Sequence, residues 1–201
     1  MNKLKYLRTP FLILHILCYL LCKDREKIKA DLVCFTKAYG YDNKYTGVKR
    51  LVRILLFCKE YRNIFYSRVS TVQKKWHIGF LMEIILPSYK FLSIGTNPDK
   101  IGKGLFVEHG NSTIIHANSI GDNCWVNQNV TIGDSGKGIP DIGNNVRIGT
   151  GAVVLGPIKI GDNVIIGANA AIVKDVPPNC TVVPSPSYII KKDGERVFIK
   201  L

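Results

Sequence analysis

The chemistry of this chain rests on few side chains. Four histidines stand at 15, 77, 109 and 116, and six cysteines at 18, 22, 34, 58, 124 and 180. His109 and His116 each lie two residues past an aliphatic position (Val107 and Ile114) of a regular pattern, so both project outward from it. An outward imidazole titrates near pH 6.5 and is suited to take a proton at neutral pH. His15 and His77 fall in helical stretches and read as structural. No CxxC pair occurs and no histidine cluster lies near a cysteine. This argues against a structural zinc site and a disulfide framework, and for buried thiols. A zinc-hydroxide enzyme needs about three histidines around the metal, and the repeat offers two, so no metal is expected. A phosphate-binding Gly-rich loop and an RNA-binding motif are both missing, and nucleic acid is not an expected partner.

An element must hold His109 outward, and the sequence shows which one. From residue 114 an aliphatic side chain recurs every six positions: Ile114, Ile120, Val126, Ile132, then Ile142, Ile148, Val154, Ile160, Ile166 and Ile172. Four positions further on sits a smaller or branched residue, as at Cys124, Val130, Val146, Ala152, Val164 and Ala170. Neither a helix nor an alternating strand yields a period of six; stacked coils of a solenoid do. Each hexad makes a short strand and a corner, and three hexads close a triangular coil. The step from Ile132 to Ile142 is ten, so a loop at about 133–141 is extruded there. The step from Val107 to Ile114 is seven, an irregularity beside His109.

The first half differs. Of 201 residues, positions 1–100 carry 19 of the 28 Lys and Arg but only 7 of the 15 Asp and Glu, leaving the second half nearly neutral. The patterning predicts helices over 23–39 and 48–66, and a third from Ser70, as N-cap, to Pro87, with Trp76, Phe80 and Met82 in the core. The fold class is α+β: a helical domain over 1–88, a left-handed parallel β-helix over 89–180 and a tail over 181–201. Residues 11–22 form an apolar run behind Lys3, Lys5 and Arg8, too short to span a bilayer at about 20 residues. It reads as a buried or oligomer-packing helix, with a peripheral membrane-surface helix as the second reading. The expected location is cytoplasmic, with any membrane contact through the N-terminus at the inner face.

The segments Ile101-Gly-Lys-Gly-Leu-Phe-Val-Glu-His109-Gly, Gln128-Asn-Val-Thr-Ile-Gly133, the loop 134–141 with Pro140, Ile148-Gly-Thr-Gly-Ala-Val-Val-Leu-Gly156, Ile166-Gly-Ala-Asn-Ala and Asp175-Val-Pro-Pro178 resemble the hexapeptide acyltransferases of the serine acetyltransferase type. The helical half is similar, more loosely, to the family's N-terminal domain. Its segment Lys59-Glu-Tyr-Arg-Asn-Ile-Phe-Tyr-Ser-Arg68 resembles relatives in capsule or exopolysaccharide pathways. The resemblance implies acetyl-CoA as co-substrate, a homotrimer, or a dimer of trimers, and a CoA groove between neighbouring subunits. It places His109 as general base, with His116 the rival. Glu108 takes the position of the acid before the base, and Gln128 falls one coil on from it. The CoA arm passes Thr150, Gly151, Ala168 and Asn169, with Lys174 near its phosphates. Backbone N–H groups of Gly136 and Gly138 are the candidate oxyanion donors. Gly95 and Ile139 stand where the family carries an Asp that orients the base and a His that binds the acceptor. On that ground the expected acceptor is a sugar, glycan or other small alcohol hydroxyl, with free serine as the alternative.

Overall fold

A period of six sets the geometry, and the computed structural model, which describes residues 10–40 and 45–201, shows how the chain satisfies it. Among the described residues, six α-helices are followed by a left-handed parallel β-helix of about five turns. One face stacks the strands Leu92–Ile94, Thr113–Ile115, Thr131–Gly133, Val153–Leu155 and Ala171–Ile172. A second stacks Phe106–Val107, Trp125–Val126, Arg147–Ile148, Ile165–Ile166 and Thr181–Val182, and the third Ser119–Ile120, Asp141–Ile142 and Lys159–Ile160. Arg147 pairs with Ile165, 18 positions on, which is three hexads. Trp125 pairs with Arg147, 22 positions on, because that coil also holds the loop. The last coil reaches Val182, two residues into the expected tail; beyond it, Tyr188–Lys192 and Glu195–Lys200 form an antiparallel hairpin.

Corners explain the Gly and Asn content. Asn123, Asn129, Asn145, Asn163, Asn169 and Asn179 all take positive φ, a region asparagine tolerates better than most residues. Asn123, Asn145, Asn163 and Asn179 also bond to one another up the stack, side chain to side chain. Gly121 is needed for another reason: a Cβ there would lie 2.5 Å from the backbone of Gly143 in the next coil. Down the axis run Val107, Val126, Ile148 and Ile166 on one side and Ile115, Ile132, Val154 and Ile172 on another, all buried. Here the six-residue count slips by one. Ile115, not Ile114, joins the axial row, and Ile114 is 48% exposed. The cause is the corner after Val107, which is longer than its neighbours and contains two left-handed residues, His109 and Ser112.

The helices are α1 (Ile13–Leu21), α2 (Arg25–Ala38), α3 (Gly47–Phe57), α4 (Lys59–Arg68), α5 (Ser70–Trp76) and α6 (Gly79–Ile85). The expected helix over 48–66 is two, broken at Cys58, whose backbone is extended. Arg62 explains the break. Its buried guanidinium donates to the carbonyls of Leu55, Leu56 and Pro87, capping the end of α3 with a side chain from α4. The expected third helix is also two, divided at left-handed His77. Ser70 opens α5 as its first residue and makes no side-chain cap. Met82 is buried, whereas Phe80 is 76% exposed; the side chain of Trp76 lies outside the described residues. On α1, His15 and Cys18 face inward and Ile13, Leu17 and Leu20 outward, and Phe11 just ahead of it is also exposed. Among the described residues no helix is long and apolar enough to cross a membrane.

The helical layer is welded to the first coil. Arg68 of α4 pairs with Asp31 of α2 at 2.9 Å, and both are buried. Arg68 also donates to the carbonyls of Ile101 and Gly102, and Asp31 accepts from the Leu105 amide. Burial pushes the Asp31 carboxyl above its ordinary value, with the Arg68 charge opposing. Phe35 meets Phe106 edge to face at 4.7 Å, so one apolar core runs through both halves.

Candidate active site

His109 heads one edge of the prism, the corner between the first two faces. Its backbone sits in the left-handed region (φ 58°), and its side chain is exposed. Such a conformation in a residue with a Cβ costs roughly 1 kcal/mol or more and gathers at functional sites. Along the same edge lie Gln128, then Thr150 and Gly151, then Ala168 and Asn169. Hydrogen bonds tie the levels together: Asn129 N to Asn111 O, Gly151 N to Gln128 O and Asn169 N to Thr150 O. The Thr150 hydroxyl donates to Gln128 O at 3.1 Å. A Cβ on Gly151, itself left-handed, would collide with the Asn169 amide oxygen. The structure therefore brings His109, Gln128, Thr150, Gly151, Ala168 and Asn169 into one row, with small residues where an extended ligand must lie flat. Among the described residues no hydrogen bond joins Gln128 to His109.

Other expected residues lie elsewhere. Glu108 points along the second face and accepts from the Trp125 indole at 3.1 Å. The Arg147 guanidinium stacks over that indole, 4.8 Å from its centre. Trp125, Asn127, Arg147, Gly149, Ile165 and Gly167 line a groove of about 270 Å³ beside the His109 edge. The sequence reading missed Trp125 and Arg147. The signal was present, since both sit immediately before an axial aliphatic, and the register stacks them.

The loop leaves the opposite edge of the first face, after Gly133. Asp134 Oδ1 accepts from the amides of Gly136 (2.7 Å) and Gly138 (2.9 Å). Those bonds hold the Asp134 carboxyl below its ordinary value. Both amides named as oxyanion donors are thus already satisfied within the loop, a tight turn whose own carboxylate claims them. Lys174 also belongs to this loop edge, following Ile172, and is exposed. So does His116: a Cβ on Gly95 would lie 3.5 Å from its ring. Gly95 therefore faces His116, the rival base, and not His109. Cys124 is buried, donates to Gly143 O, and has its thiol pushed up to about 11 by burial. It is no nucleophile at neutral pH.

Comparison with known proteins bears on the repeat and the fold. The family described as bacterial transferase hexapeptide (six repeats) matches residues 140–174. The serine acetyltransferase of Staphylococcus aureus (strain Mu50 / ATCC 700699) is 49% identical over 113 residues, covering 53% of this chain and 53% of the relative. That of Synechococcus elongatus is 46% identical over 103 residues, covering 49% and 42%. The chain thus spans about half the length of the curated relatives it matches. Among solved structures, the Neisseria gonorrhoeae serine acetyltransferase in complex with serine superposes with a TM-score of 0.57 at 27% identity, covering 81% of this chain and 67% of that one. The soybean apoenzyme gives 0.61 at 28%, covering 81% and 66%. The six-residue repeat and the parallel solenoid are thus those of hexapeptide-repeat transferases over residues 140–174, and the chain is similar in sequence and fold to serine acetyltransferases.

Proposed function

We propose that the chain is an acetyl-CoA-dependent O-acetyltransferase acting on the hydroxyl of serine. The observation that carries the reaction type is the edge itself: an outward, left-handed His109 at the head of a flat row of small residues. A neutral hydroxyl is a poor nucleophile, so its proton must leave as it attacks. His109 takes that proton as general base. Thr150, Gly151, Ala168 and Asn169 give the pantetheine arm of acetyl-CoA a smooth bed, and the co-substrate supplies the acetyl group as a thioester. Cys124 is buried and bonded to the Gly143 carbonyl, so that thiol offers no acyl carrier beside His109.

Serine replaces the sugar or glycan expected first. That expectation rested on Gly95 and Ile139, whereas the relatives reported above are named for serine, and one neighbour was crystallised with it. Gly95 faces His116 in this fold, so its lack of a carboxylate is weak ground for excluding serine at His109.

The site is completed by a second subunit in this reading. His109 and the loop stand at opposite edges of one face, so a single chain does not bring them together. That face presents Ile114, Thr131, Val153 and Ala171 outward, a packing surface suited to a homotrimer. The neighbour's loop edge would then bring Lys174 toward the CoA phosphates. Exposed Ile13 and Leu17 on α1 and Phe80 and Ile84 on α6 support further association through the helices, as in a dimer of trimers. The test is thiol release from acetyl-CoA with L-serine beside a panel of sugars and nucleotide sugars. Serine-dependent release supports the reading; release with a sugar alone overturns the acceptor.

A further inference from the structure

An amino-acid acceptor carries an ammonium two carbons from its hydroxyl. If His109 holds the hydroxyl, an anion must stand close by without necessarily touching the imidazole. The acids near the coils are largely engaged. Glu108 faces Trp125, Asp134 is tied into its loop, Asp31 is paired with Arg68, and Asp141 accepts from Ser119 and Asn118.

Glu60 is different. It lies in the first turn of α4, half-buried, and its side chain rests on the corner directly after His109. A Cβ built on Gly110 would be 3.0 Å from Glu60 Cγ, 3.3 Å from Leu92 Cδ2 and 3.4 Å from Val107 Cγ1. Glycine at 110 is what lets the acid lie there. The neighbouring contacts hold the turn in place. Asn63, one turn on, donates to the carbonyls of Tyr89 and Leu92 and accepts the Tyr89 amide. The Tyr89 hydroxyl then donates to Asn111, on the same corner as His109. Glu60 is thus fixed in main-chain position while its carboxylate, among the described residues, makes no hydrogen bond or ion pair.

We propose that Glu60 is the specificity residue for the acceptor, binding the ammonium of a free amino acid beside His109. This rests on the serine reading and deepens it, since it supplies from the helical layer a charge that Gly95 and Ile139 do not. It also requires the helices for acceptor recognition, and not only for association.

The test is steady-state kinetics of Glu60→Gln in the full-length protein, with 3-hydroxypropionate, which is serine without the ammonium, as second acceptor or competitor. Loss of one charge-assisted bond predicts a serine KM raised about 10- to 150-fold, with kcat and the acetyl-CoA KM little changed and 3-hydroxypropionate unaffected. Gly110→Ala, whose methyl would press on Glu60 Cγ, should give a milder form of the same split, and carries the test should Glu60→Gln fail to fold. A serine KM within threefold of the unsubstituted protein, or serine and acetyl-CoA KM rising together, overturns the proposal. Failure of the serine reading itself is told apart because it shows before any substitution, as an absence of serine-dependent thiol release, and it overturns both.

Discussion

Two histidines place opposite demands on their surroundings. His109 is exposed and held out on a left-handed corner. His109→Ala should lower turnover about 100- to 10,000-fold while acetyl-CoA binding and thermal midpoint hold; activity surviving in that variant but lost in His116→Ala would move the base to the loop edge. His15 is buried. Its Nε2 contacts the Tyr66 hydroxyl at 3.0 Å, Nδ1 has no partner among the described residues, and burial lowers its pKa to about 4. The folded state therefore binds this proton less readily than the unfolded chain, where the pKa is near 6.5. Its stability contribution is whole above about pH 6.5 and is lost as pH falls toward 4, up to about 3 kcal/mol. Urea midpoints measured between pH 7 and 4 should show this slope, and His15→Phe should flatten it. An unchanged slope would place the acid sensitivity elsewhere.

At the scale of elements, local pattern and tertiary contact divide the credit. The hexad was readable because each aliphatic must reach the same axis, so the period is written into the chain. The slip at Ile114 was only half visible: the seven-residue step from Val107 marked an irregular corner, but not that the left-handed residues at 109 and 112 lengthen it by one more and bring Ile115 to the axis. The break at Cys58 was equally hidden. The periodicity continues across it, and only Arg62, folding back on Leu55 and Leu56, shows that α3 has ended. The candidate site residues were named through the family resemblance, and the register explains only why they stack along one edge; Glu60 had no such signal, since no spacing relates α4 to a corner 50 residues away. The junction between layers is the element most exposed to a single change. Arg68→Met would leave Asp31 buried without its charge partner, and the carbonyls of Ile101 and Gly102 without a donor. Breaking one partner of such a pair costs about 3–5 kcal/mol, so the urea midpoint should fall sharply. A loss below about 1 kcal/mol would mean that the helical layer does not depend on this contact.

For the whole molecule, the two edges of the first face set the requirement. One carries His109 and the smooth row, the other the loop and Lys174, and in the proposed site a neighbouring copy would join them. Sedimentation or light scattering at micromolar concentration should therefore give three times the 22.5 kDa chain mass, or a multiple of it; a monomer would leave the proposed site incomplete. The basic first half, which caps the solenoid, supplies in this account both the association surface and the acceptor's ammonium site. Identification of the acetylated product by mass spectrometry tests the central claim most directly. The protein is supplied with acetyl-CoA, L-serine and the sugar panel together. The account predicts O-acetylserine formed in step with free CoA, and formation of both abolished in His109→Ala. An acetylated sugar with serine untouched, or O-acetylserine formed equally well without His109, would contradict it.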